Sequence, residues 1–378
     1  ENTYTGRPAN MMSLAKGTTS TSFSTKYRLR MYVDESYNPQ GDGGNLAFSI
    51  KINAYGKTGD KMPEPTAAEV LAAKANAEDL DYNSATDAQK KEMWTFTHEA
   101  TEQTTALTDY RYIGADPNNY VKFNDELWRI IGVFDTDDGT GKVEKRLKII
   151  RNESIGNYSW DNKDTTTGAE TVYGKNEWTD ARLNYLLNPG HDSETVGGSL
   201  YWNRGTGNCY YGQNNATTPC NFTANGLTDE AKEMIGDAKW YLGGSSTHND
   251  ETVPMFYTRE RGTSVYSGRS TNWTGKVGLM YLSDYGYATS GGSTTDRASC
   301  LANPITKWTN SSVSDCKNND WMYKSNYWYW TMTPSSNNDY DVFYFDASGF
   351  VYNLGAYSLG GNIIPVVHLK STIKVISG

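Results

Sequence analysis

The sequence has no long apolar run, carries little charge and contains few cysteines. No stretch approaches the ~18–20 apolar residues that a membrane-spanning helix needs, so we expect no direct membrane insertion by this chain. The formal net charge of −9 argues against nucleic acid as a partner, because phosphate binding requires a basic surface. It also argues against binding to an anionic membrane surface. No signal peptide is present, and we expect a mature or trimmed product.

The patterns that bind metals are also missing. Cys209 lies near Cys220 and Cys300 near Cys316, but a zinc site would have tighter spacing such as C-x-x-C. We therefore predict two local disulfides, each stabilising the fold by about 2–4 kcal/mol, in an extracellular or cell-surface protein. We predict no metal site and no cofactor. The histidines are scattered along the chain: His98, His191, His248 and His368.

What the chain has in abundance is aromatic residues, with 28 Tyr and 11 Trp among its 378 residues. Many Tyr, Asn, Thr, Ser and Gly residues with low charge are typical of extracellular β-rich proteins. The length suggests two or three domains by the usual soft rule of roughly 150 residues each.

The stretch 326–370 combines strand-like segments with polar residues. Tyr327–Met332 and Val342–Phe345 are rich in aromatic and β-branched residues, which favour strands. Asp346–Gly349 predicts a turn, after which Phe350–Asn353 can pair back as a hairpin. Ile363–Lys370 predicts a buried closing strand.

The polar residues of this stretch have the composition of an antibody paratope, where Tyr supplies contact area and Ser and Asn supply adaptable hydrogen bonds. A polar, turn-rich surface of an ordinary β domain would have the same composition. Under the first interpretation, Trp328 and Trp330 form the framework of a ligand-binding face. That face comprises Asn337, Asn338, Tyr340, Asp341, Tyr344, Asp346, Tyr352, Asn353 and Tyr357.

Residues 1–57 form a predicted β-rich N-terminal segment. Tyr27–Val33 and Leu46–Tyr55 alternate polar and apolar residues, which predicts a hairpin. An isolated hairpin is marginally stable, so we expect it to dock on the rest of the chain, on a missing N-terminal portion, or on a neighbouring subunit by self-assembly. The segment loosely resembles the last strands of the β-sandwich subunits in camelysin-type bacterial matrix fibres.

Residues 58–108 are predicted to be a helical connector. Residues 67–78 are rich in Ala and Glu, which favour a helix. Thr86 is placed to cap a second helical run that extends to Phe96. A solvated spacer is the simplest interpretation.

Residues 109–378 are predicted to form one α+β domain. Leu127–Phe134 is a nearly continuous apolar strand. Trp178–Asp180 opens a helix, and Thr228 caps another. The apolar stripe of the first helix is Leu183, Leu186 and Leu187, and that of the second is Ala231, Met234, Ile235, Ala238 and Leu242. The predicted order is a hairpin, two helices, loops joined by disulfides and a final sheet. This order resembles that of the C-type lectin fold.

Longer motifs carry a more specific resemblance, to the C-type-lectin-fold variable proteins of diversity-generating retroelements in gut-associated Gram-positive bacteria. The motifs are Tyr120–Asn124, Leu127–Phe134, Arg151–Gly156, Ser159–Asn162, Gly236–Gly244, Tyr266–Ser270, Gly278–Tyr281, Ser283–Ala288, Trp330–Pro334 and Pro365–Lys370. The resemblance implies adenine-directed mutagenesis near the 3′ end of the gene, in which Asn codons are favoured templates and Tyr, Ser and Asp are common products. The density of these four residues after Pro334 matches that process. One position departs from the family pattern, since Ile364 stands where Arg is usual.

This resemblance implies a non-enzymatic surface adhesion module whose ligand is a protein or glycan on another cell or a phage. One alternative is a subunit of an extracellular fibre or pilus-like polymer. A second is an enzyme of the formylglycine-generating type, although Cys300 and Cys316 fit a structural disulfide better. A third, a calcium-dependent sugar lectin, lacks the E-P-N, Q-P-D and W-N-D motifs that supply oxygens to Ca²⁺.

Overall fold

The computed structural model describes residues 64–76, 82–86, 89–163, 173–247, 249–358 and 361–374. The chain divides into two units, Glu1–Pro65 and Thr66–Gly378. The elements that follow belong to the second unit. The predicted hairpin of Tyr27–Val33 and Leu46–Tyr55 lies outside the described residues, and with it the proposed self-assembly.

The second unit contains both helices and antiparallel sheets, so its class is α+β, as predicted. The helices are α1 (Ala67–Ala72), α2 (Arg182–Leu187), α3 (Asp229–Met234), α4 (Val253–Glu260), α5 (Leu282–Tyr287), α6 (Arg297–Ala302) and α7 (Asp315–Asn318). Short 3₁₀ turns cover Trp178–Asp180, Ile305–Thr309 and Ser311–Val313. The strands are β1 (Met93–His98), β2 (Leu107–Tyr112), β3 (Tyr120–Phe123), β4 (Glu126–Asp137), β5 (Val143–Arg151), β6 (Thr206–Tyr210), β7 (Thr217–Asn221), β8 (Ala238–Tyr241), β9 (Asn272–Gly275), β10 (Val277–Gly278), β11 (Tyr329–Pro334), β12 (Asp341–Phe345), β13 (Val351–Gly355) and β14 (Val366–His368).

The largest sheet has seven strands in the order β1-β2-β4-β5-β14-β10, and β3 also pairs with β4. Strand β4 is at its centre and is buried over most of its length, as the apolar run predicts. The pairing of β4 with β5 shifts register between Ile130 and Gly132. A Cβ at Gly132 would lie 2.2 Å from the carbonyl oxygen of Tyr110, so only glycine fits where β2 approaches β4.

Tryptophans and the two predicted helices fill the core. The stripe of α2, formed by Leu183, Leu186 and Leu187, is buried, and Thr228 caps α3 by accepting a hydrogen bond from the Ala231 backbone N–H. Both features were predicted. The fully buried tryptophans are Trp128, Trp160, Trp178, Trp240, Trp308 and Trp330. Burying that much aromatic surface is a large hydrophobic contribution to stability.

The second predicted helix ends earlier than its apolar stripe indicated. Helix α3 stops at Met234, and Ile235 already has an extended backbone. Residues 238–241 form β8, in which buried and half-buried side chains alternate, and β8 pairs with β9. The prediction that Ala238 and Leu242 continue the helix was wrong, because Gly236 interrupts it and β9 offers a pairing partner.

The predicted helix from Thr86 to Phe96 was also wrong. Thr86 does form a local turn, since its hydroxyl and backbone N–H both donate to Gln89 Oε1, each at 2.9 Å. The chain then enters β1, which pairs antiparallel with β2 from Met93 to His98. Trp, Thr and Phe favour strands, and pairing with β2 overrides the helical pattern.

From Thr66 onward, the predicted connector contributes to the second unit through α1, β1 and the start of β2. Thr66 and Glu69 form a capping box at the start of α1. Ala67 and Leu71 are buried in the main core, and the Ala67 N–H donates to the Ile373 carbonyl at 2.7 Å. The described helix ends at Ala72, which is shorter than predicted.

Both predicted disulfides are present. Cys209 pairs with Cys220, and Cys300 pairs with Cys316, so none of the four cysteines is a free thiol. Two such bonds are typical of a chain that folds in an oxidising compartment. Within the described ranges, every helix is too short or too polar to cross a bilayer.

A second sheet, the small sheet, contains β11, β12 and β13 in that order. Its hairpin β12–β13 matches the prediction, and the Asp346 carboxylate closes the turn by accepting hydrogen bonds from the backbone N–H groups of Ser348 and Phe350. Gly349 in this turn has φ +84°, a conformation that favours glycine. Strand β13 is at the edge of the sheet, beside most of the predicted ligand-binding residues.

Candidate functional site

The floor of the candidate site is the buried part of the small sheet. Phe343 packs edge-to-face on Phe256 with ring centroids 5.6 Å apart, and Phe345 stacks on Tyr285 at 4.5 Å. The Thr331 hydroxyl donates to the Phe343 carbonyl at 2.7 Å. These contacts fix β12 against the main core, so side chains on the sheet are held by a rigid support.

The register of β12 with β13 divides the predicted binding residues between two faces. Tyr344 lies opposite Tyr352, whereas Phe343 lies opposite Asn353. Because side chains alternate along a strand, the two tyrosines share one face, and Asn353 shares the other with Asp341. The predicted set is therefore distributed around the edge of the sheet, on both faces of β13.

On the first face, Trp328, Tyr344 and Tyr352 form what we call the aromatic patch. Trp328 contacts Tyr344 at 5.1 Å between ring centroids and Trp330 at 5.4 Å, both in edge-to-face geometry. Trp330 is 1% exposed, whereas Tyr352 is 43% exposed. The patch therefore extends from Trp328, which packs on the buried Trp330, to the partly exposed Tyr352, which stacks on Phe350 at 6.2 Å between ring centroids.

On the second face, Asn338, Asp341 and Asn353 form what we call the amide–carboxylate group. The Nδ2 groups of Asn338 and Asn353 both donate to Asp341 Oδ2, at 2.7 and 2.9 Å. Burial raises the pKa of Asp341, although the hydrogen bond from Asn338 opposes the shift. The backbone N–H of Asp341 donates to Asn338 Oδ1 at 2.7 Å. Asn338 and Asp341 therefore hydrogen-bond to each other in both directions.

Tyr340 and Tyr357 meet a third tyrosine that the sequence did not single out. Tyr173 lies 4.8 Å from Tyr340 and 5.5 Å from Tyr357 between ring centroids. Tyr173 is 39% exposed, and we call the three residues the tyrosine cluster. Rings of this kind supply contact area with little conformational freedom to lose.

The loop 335–341 is held from beneath by Asn176, a residue that sequence reasoning missed. Its Nδ2 lies 3.0 Å from each of three carbonyl oxygens, those of Ser335, Asn338 and Asp341. Arg269 adds a hydrogen bond from its Nη2 to the Asp339 carbonyl at 3.0 Å. Asn176 is about 160 residues from its partners along the chain, and nothing local in the sequence marks it.

The two remaining predicted residues hold turns. Asn337 is exposed, and its Nδ2 donates to the Ser246 carbonyl at 2.9 Å. Asp346 lies in the β12–β13 turn described above, where its Oδ1 accepts three hydrogen bonds from Ser348 and Phe350. Asp346 thus has a structural role in addition to its position beside the patch.

A second polar region, the buried charge network, lies between the large sheet and helices α4 and α5. The Arg111 guanidinium joins two carboxylates, Asp109 at 2.8 Å and Asp284 at 3.0 Å. Lys148 pairs with the same Asp284, and the His98 Nε2 lies 2.9 Å from Asp109. Each of these five side chains is nine-tenths or more buried.

Mutual pairing keeps Asp109, Asp284 and Arg111 of this network ionised. Burial alone would raise the pKa of Asp109, but the Arg111 guanidinium holds it well below its ordinary value. Burial would likewise raise the pKa of Asp284, and Lys148 and Arg111 together lower it. Burial lowers the pKa of His98, which favours the neutral ring. The arrangement is closed to solvent and has the character of a structural network.

The remaining predicted features are placed as follows. Ile364, which departs from the family pattern, is buried at 5% exposure. No group of three or more His, Cys, Asp or Glu side chains in the described part of the chain is placed to hold a metal ion.

Comparisons with protein-family models, with curated proteins and with solved structures find no match to this chain.

Proposed function

We propose that the second unit is a ligand-binding module, and that its ligand contacts the aromatic patch, the amide–carboxylate group and the tyrosine cluster around the β13 edge. The observation that carries this proposal is the combination of partly exposed tyrosines with a fully buried aromatic floor. Such a surface can be rich in contact area while its framework stays fixed.

The aromatic patch would supply most of the affinity. Tyr352 and Tyr344 offer rings and hydroxyl groups, and Trp328 restricts the position of Tyr344. In protein interfaces a few central aromatic residues carry most of the binding free energy. We expect Tyr352 to contribute most, because it is the most exposed ring of the patch.

The amide–carboxylate group would supply orientation. Its hydrogen bonds hold the two amides and the carboxylate in one arrangement before a ligand arrives, which lowers the entropy that binding must remove. The neighbouring loop residue Asn337 is exposed, and its Oδ1 accepts a hydrogen bond from the Asn338 Nδ2 at 3.4 Å.

Our further proposals are that the scaffold is a C-type lectin fold and that its binding residues are diversified by a retroelement. The sequence motifs between Tyr120 and Lys370 support the first of these proposals. The concentration of Tyr, Asn, Ser and Asp after Pro334 supports the second. The disulfides support a role outside the cytosol, and we propose a cell-surface adhesion module. Its ligand would be a protein or glycan on another cell or a phage.

Binding can be tested with defined probes. Fluorescently labelled full chain would be applied to a printed glycan array, and the chain would be used to select from a phage-displayed peptide library. Each ligand obtained would then be titrated against Tyr352→Ala. We expect at least a tenfold loss of affinity, because loss of an interface aromatic residue often costs 2 kcal/mol or more.

Lys317→Gln is the matched control, because Lys317 also lies near the small sheet and stacks over Tyr323, outside the proposed surface. Its affinity for the selected ligand should be unchanged. If the selected ligands bind Tyr352→Ala and Tyr344→Ala as tightly as the unaltered chain, the proposed surface is wrong.

A further inference from the structure

The segment 173–177 lies outside the small sheet in the chain, yet it contacts the proposed binding surface at two places. The carbonyl oxygen of Tyr173 accepts a hydrogen bond from the backbone N–H of Tyr357 at 3.2 Å. Three residues further on, the Asn176 side chain bonds to the loop 335–341. Asn176 is 3% exposed, so it supports the loop from inside and is shielded from any ligand.

We propose that Asn176 and Arg269 are positioning residues for ligand binding, because they fix the path of the loop 335–341 through its backbone alone. Ser336 and Asp339, whose side chains take no part in this support, are then two further positions that determine ligand specificity. These roles rest on the proposed function, since the loop belongs to the same surface.

The Asn176 amide contacts the loop along its whole length. Its Nδ2 donates to the carbonyl oxygens of Ser335, Asn338 and Asp341, each at 3.0 Å. Two hydrogens thus serve three acceptors, and these acceptors include the first and the last residue of the loop. The backbone N–H of Asn176 adds a fourth hydrogen bond, to the Asp339 carbonyl at 3.0 Å.

Arg269 fixes the orientation of this amide. Its Nε donates to Asn176 Oδ1 at 3.2 Å, which turns the Nδ2 end of the amide toward the loop. Its Nη2 donates to the Asp339 carbonyl at 3.0 Å. The two segments are also joined next to these residues, because the Ser270 N–H donates to Glu177 Oε2 at 2.8 Å. Asn176 and Arg269 therefore support each other as well as the loop.

Every hydrogen bond from these two residues to the loop is accepted by a main-chain carbonyl oxygen. The Ser336 N–H adds another main-chain contact, to the Ser245 carbonyl at 3.0 Å. Because each residue carries a main-chain carbonyl whatever its side chain is, this support does not depend on the side chains of the loop.

The side chains of the loop divide into two groups. Asn338 takes part in the folding of the loop, since its Oδ1 accepts hydrogen bonds from the N–H groups of Tyr340 and Asp341 at 3.1 and 2.7 Å. The side chains of Ser336 and Asp339 form no hydrogen bond or ion pair within the described ranges, and both residues are half-buried. These two can therefore be replaced while the loop keeps its path.

Hydrogen exchange of the ligand-free full chain, followed by mass spectrometry, tests the support itself. In Asn176→Ala the amides of the loop 335–341 should exchange about tenfold faster, because the loop loses the donor shared by three of its carbonyls. Arg269→Lys keeps the charge but loses the Nε that orients the amide, so it should speed loop exchange as well. This second variant decides the question if Asn176→Ala does not fold.

Asn162→Ala is the matched control. Asn162 is also buried, and its Nδ2 also donates to a main-chain carbonyl, that of Ala216 at 2.9 Å. Its replacement should lower the stability of the unit, which urea denaturation measures, and leave exchange in the loop 335–341 unchanged. The comparison separates a positioning role from a general loss of stability, because amides of a surface loop exchange by local opening.

Binding is then measured with a phage-displayed peptide selected on the unaltered chain. Asn176→Ala should bind this peptide about tenfold more weakly although Asn176 cannot touch it, because the loop no longer holds its position. Asp339→Ala and Ser336→Ala should also weaken binding of the peptide, but with the loop exchange of the unaltered chain.

Unchanged loop exchange in both Asn176→Ala and Arg269→Lys would overturn the proposal. Loop exchange as fast in Asp339→Ala or Ser336→Ala as in Asn176→Ala would overturn it too. If Asn176→Ala binds the peptide normally while Tyr352→Ala has lost it, the proposed surface is right and the positioning role is wrong. Normal binding by Tyr352→Ala as well would reject the surface, and the two specificity positions with it.

Discussion

The buried charge network and the surface around β13 are both polar regions of the same unit. They differ in whether their polar groups are paired with buried side chains or exposed to solvent. In the network, Arg111 pairs with both Asp109 and Asp284, and all three side chains are buried. Around β13, Tyr352 and Asn337 have faces open to solvent. Substituting one partner in the first region leaves a buried charge unpaired. Exposed side chains in the second region can be substituted without that cost.

This difference separates stability from recognition. Removing one partner of a buried ion pair leaves an uncompensated charge and is strongly destabilising. Changing an exposed side chain usually alters stability by about 0.5 kcal/mol or less. A surface that is to bind different ligands should be built from residues of the second kind, supported by residues of the first.

The largest effect is expected from breaking the network. Arg111→Met should lower the free energy of unfolding by about 5 kcal/mol, because Asp109 and Asp284 both lose their shared partner in a buried site. Urea denaturation followed by tryptophan fluorescence measures this. A loss below about 1 kcal/mol would mean that water reaches the network.

A slightly smaller effect is expected from the floor beneath the aromatic patch. Trp330→Ala should cost about 3–4 kcal/mol, since Trp330 is fully buried and its indole N–H donates to the Tyr158 carbonyl. The same denaturation series reports it. An unchanged midpoint would show that Trp330 does not support the small sheet.

The pH dependence of the free energy of unfolding tests the burial of two histidines, His98 and His368. Burial lowers the pKa of His98 and of His368, so below pH 6.5 the unfolded chain takes up protons that the folded chain refuses. Each of these two histidines should therefore remove stability as pH drops from about 7 to 5, by at most about 1.4 kcal/mol per pH unit. Burial raises the pKa of Asp161, Asp320 and Glu260, which contribute in the opposite direction, so the histidine contribution is the difference between the unaltered chain and each histidine variant.

His191 is the weaker comparison for this titration, because burial lowers its pKa as well, but it is only half-buried and stacks on Tyr185. His98→Gln and His368→Gln should each flatten the slope more than His191→Gln does. Histidine variants that keep the full pH slope of the unaltered chain would contradict the neutral, buried state of the two rings.

The smallest effect is expected on the proposed binding surface. Tyr352→Ala and Asn337→Ala should each change the free energy of unfolding by about 0.5 kcal/mol or less, because both residues are exposed. Thermal melts of these variants beside Trp330→Ala provide the measurement. Equal losses in both sets would make the polar positions structural.

Local signals in the sequence predicted much of the small sheet. The alternation in Val342–Phe345 and the Asp346–Gly349 turn give β12–β13, since both features act over a few residues. The strand at Met93–His98 escaped prediction because its partner, β2, decides it. The pair of Arg111 and Asp284 is separated by 173 residues, and no local pattern can join them.

The same limit applies to the candidate site. Tyrosine and asparagine density marked the surface, but only the register of β12 with β13 puts Tyr352 beside Tyr344 and Asn353 beside Phe343. Asn176, which holds the loop 335–341, carries no signal because its three acceptors are backbone carbonyls far along the chain. Long-range support of this kind depends on the packed fold.

The separation of recognition from stability can be measured in one experiment. The chain would be displayed on yeast with Asn337, Tyr340, Tyr352, Asn353 and Tyr357 randomised together, and then sorted for resistance to protease and for binding to a selected peptide or glycan. We expect most variants to resist protease like the unaltered chain, while few retain the ligand. A second library, randomised at Asp109, Arg111 and Asp284, serves for comparison. If the surface library loses protease resistance in as large a fraction of its variants, the separation is contradicted.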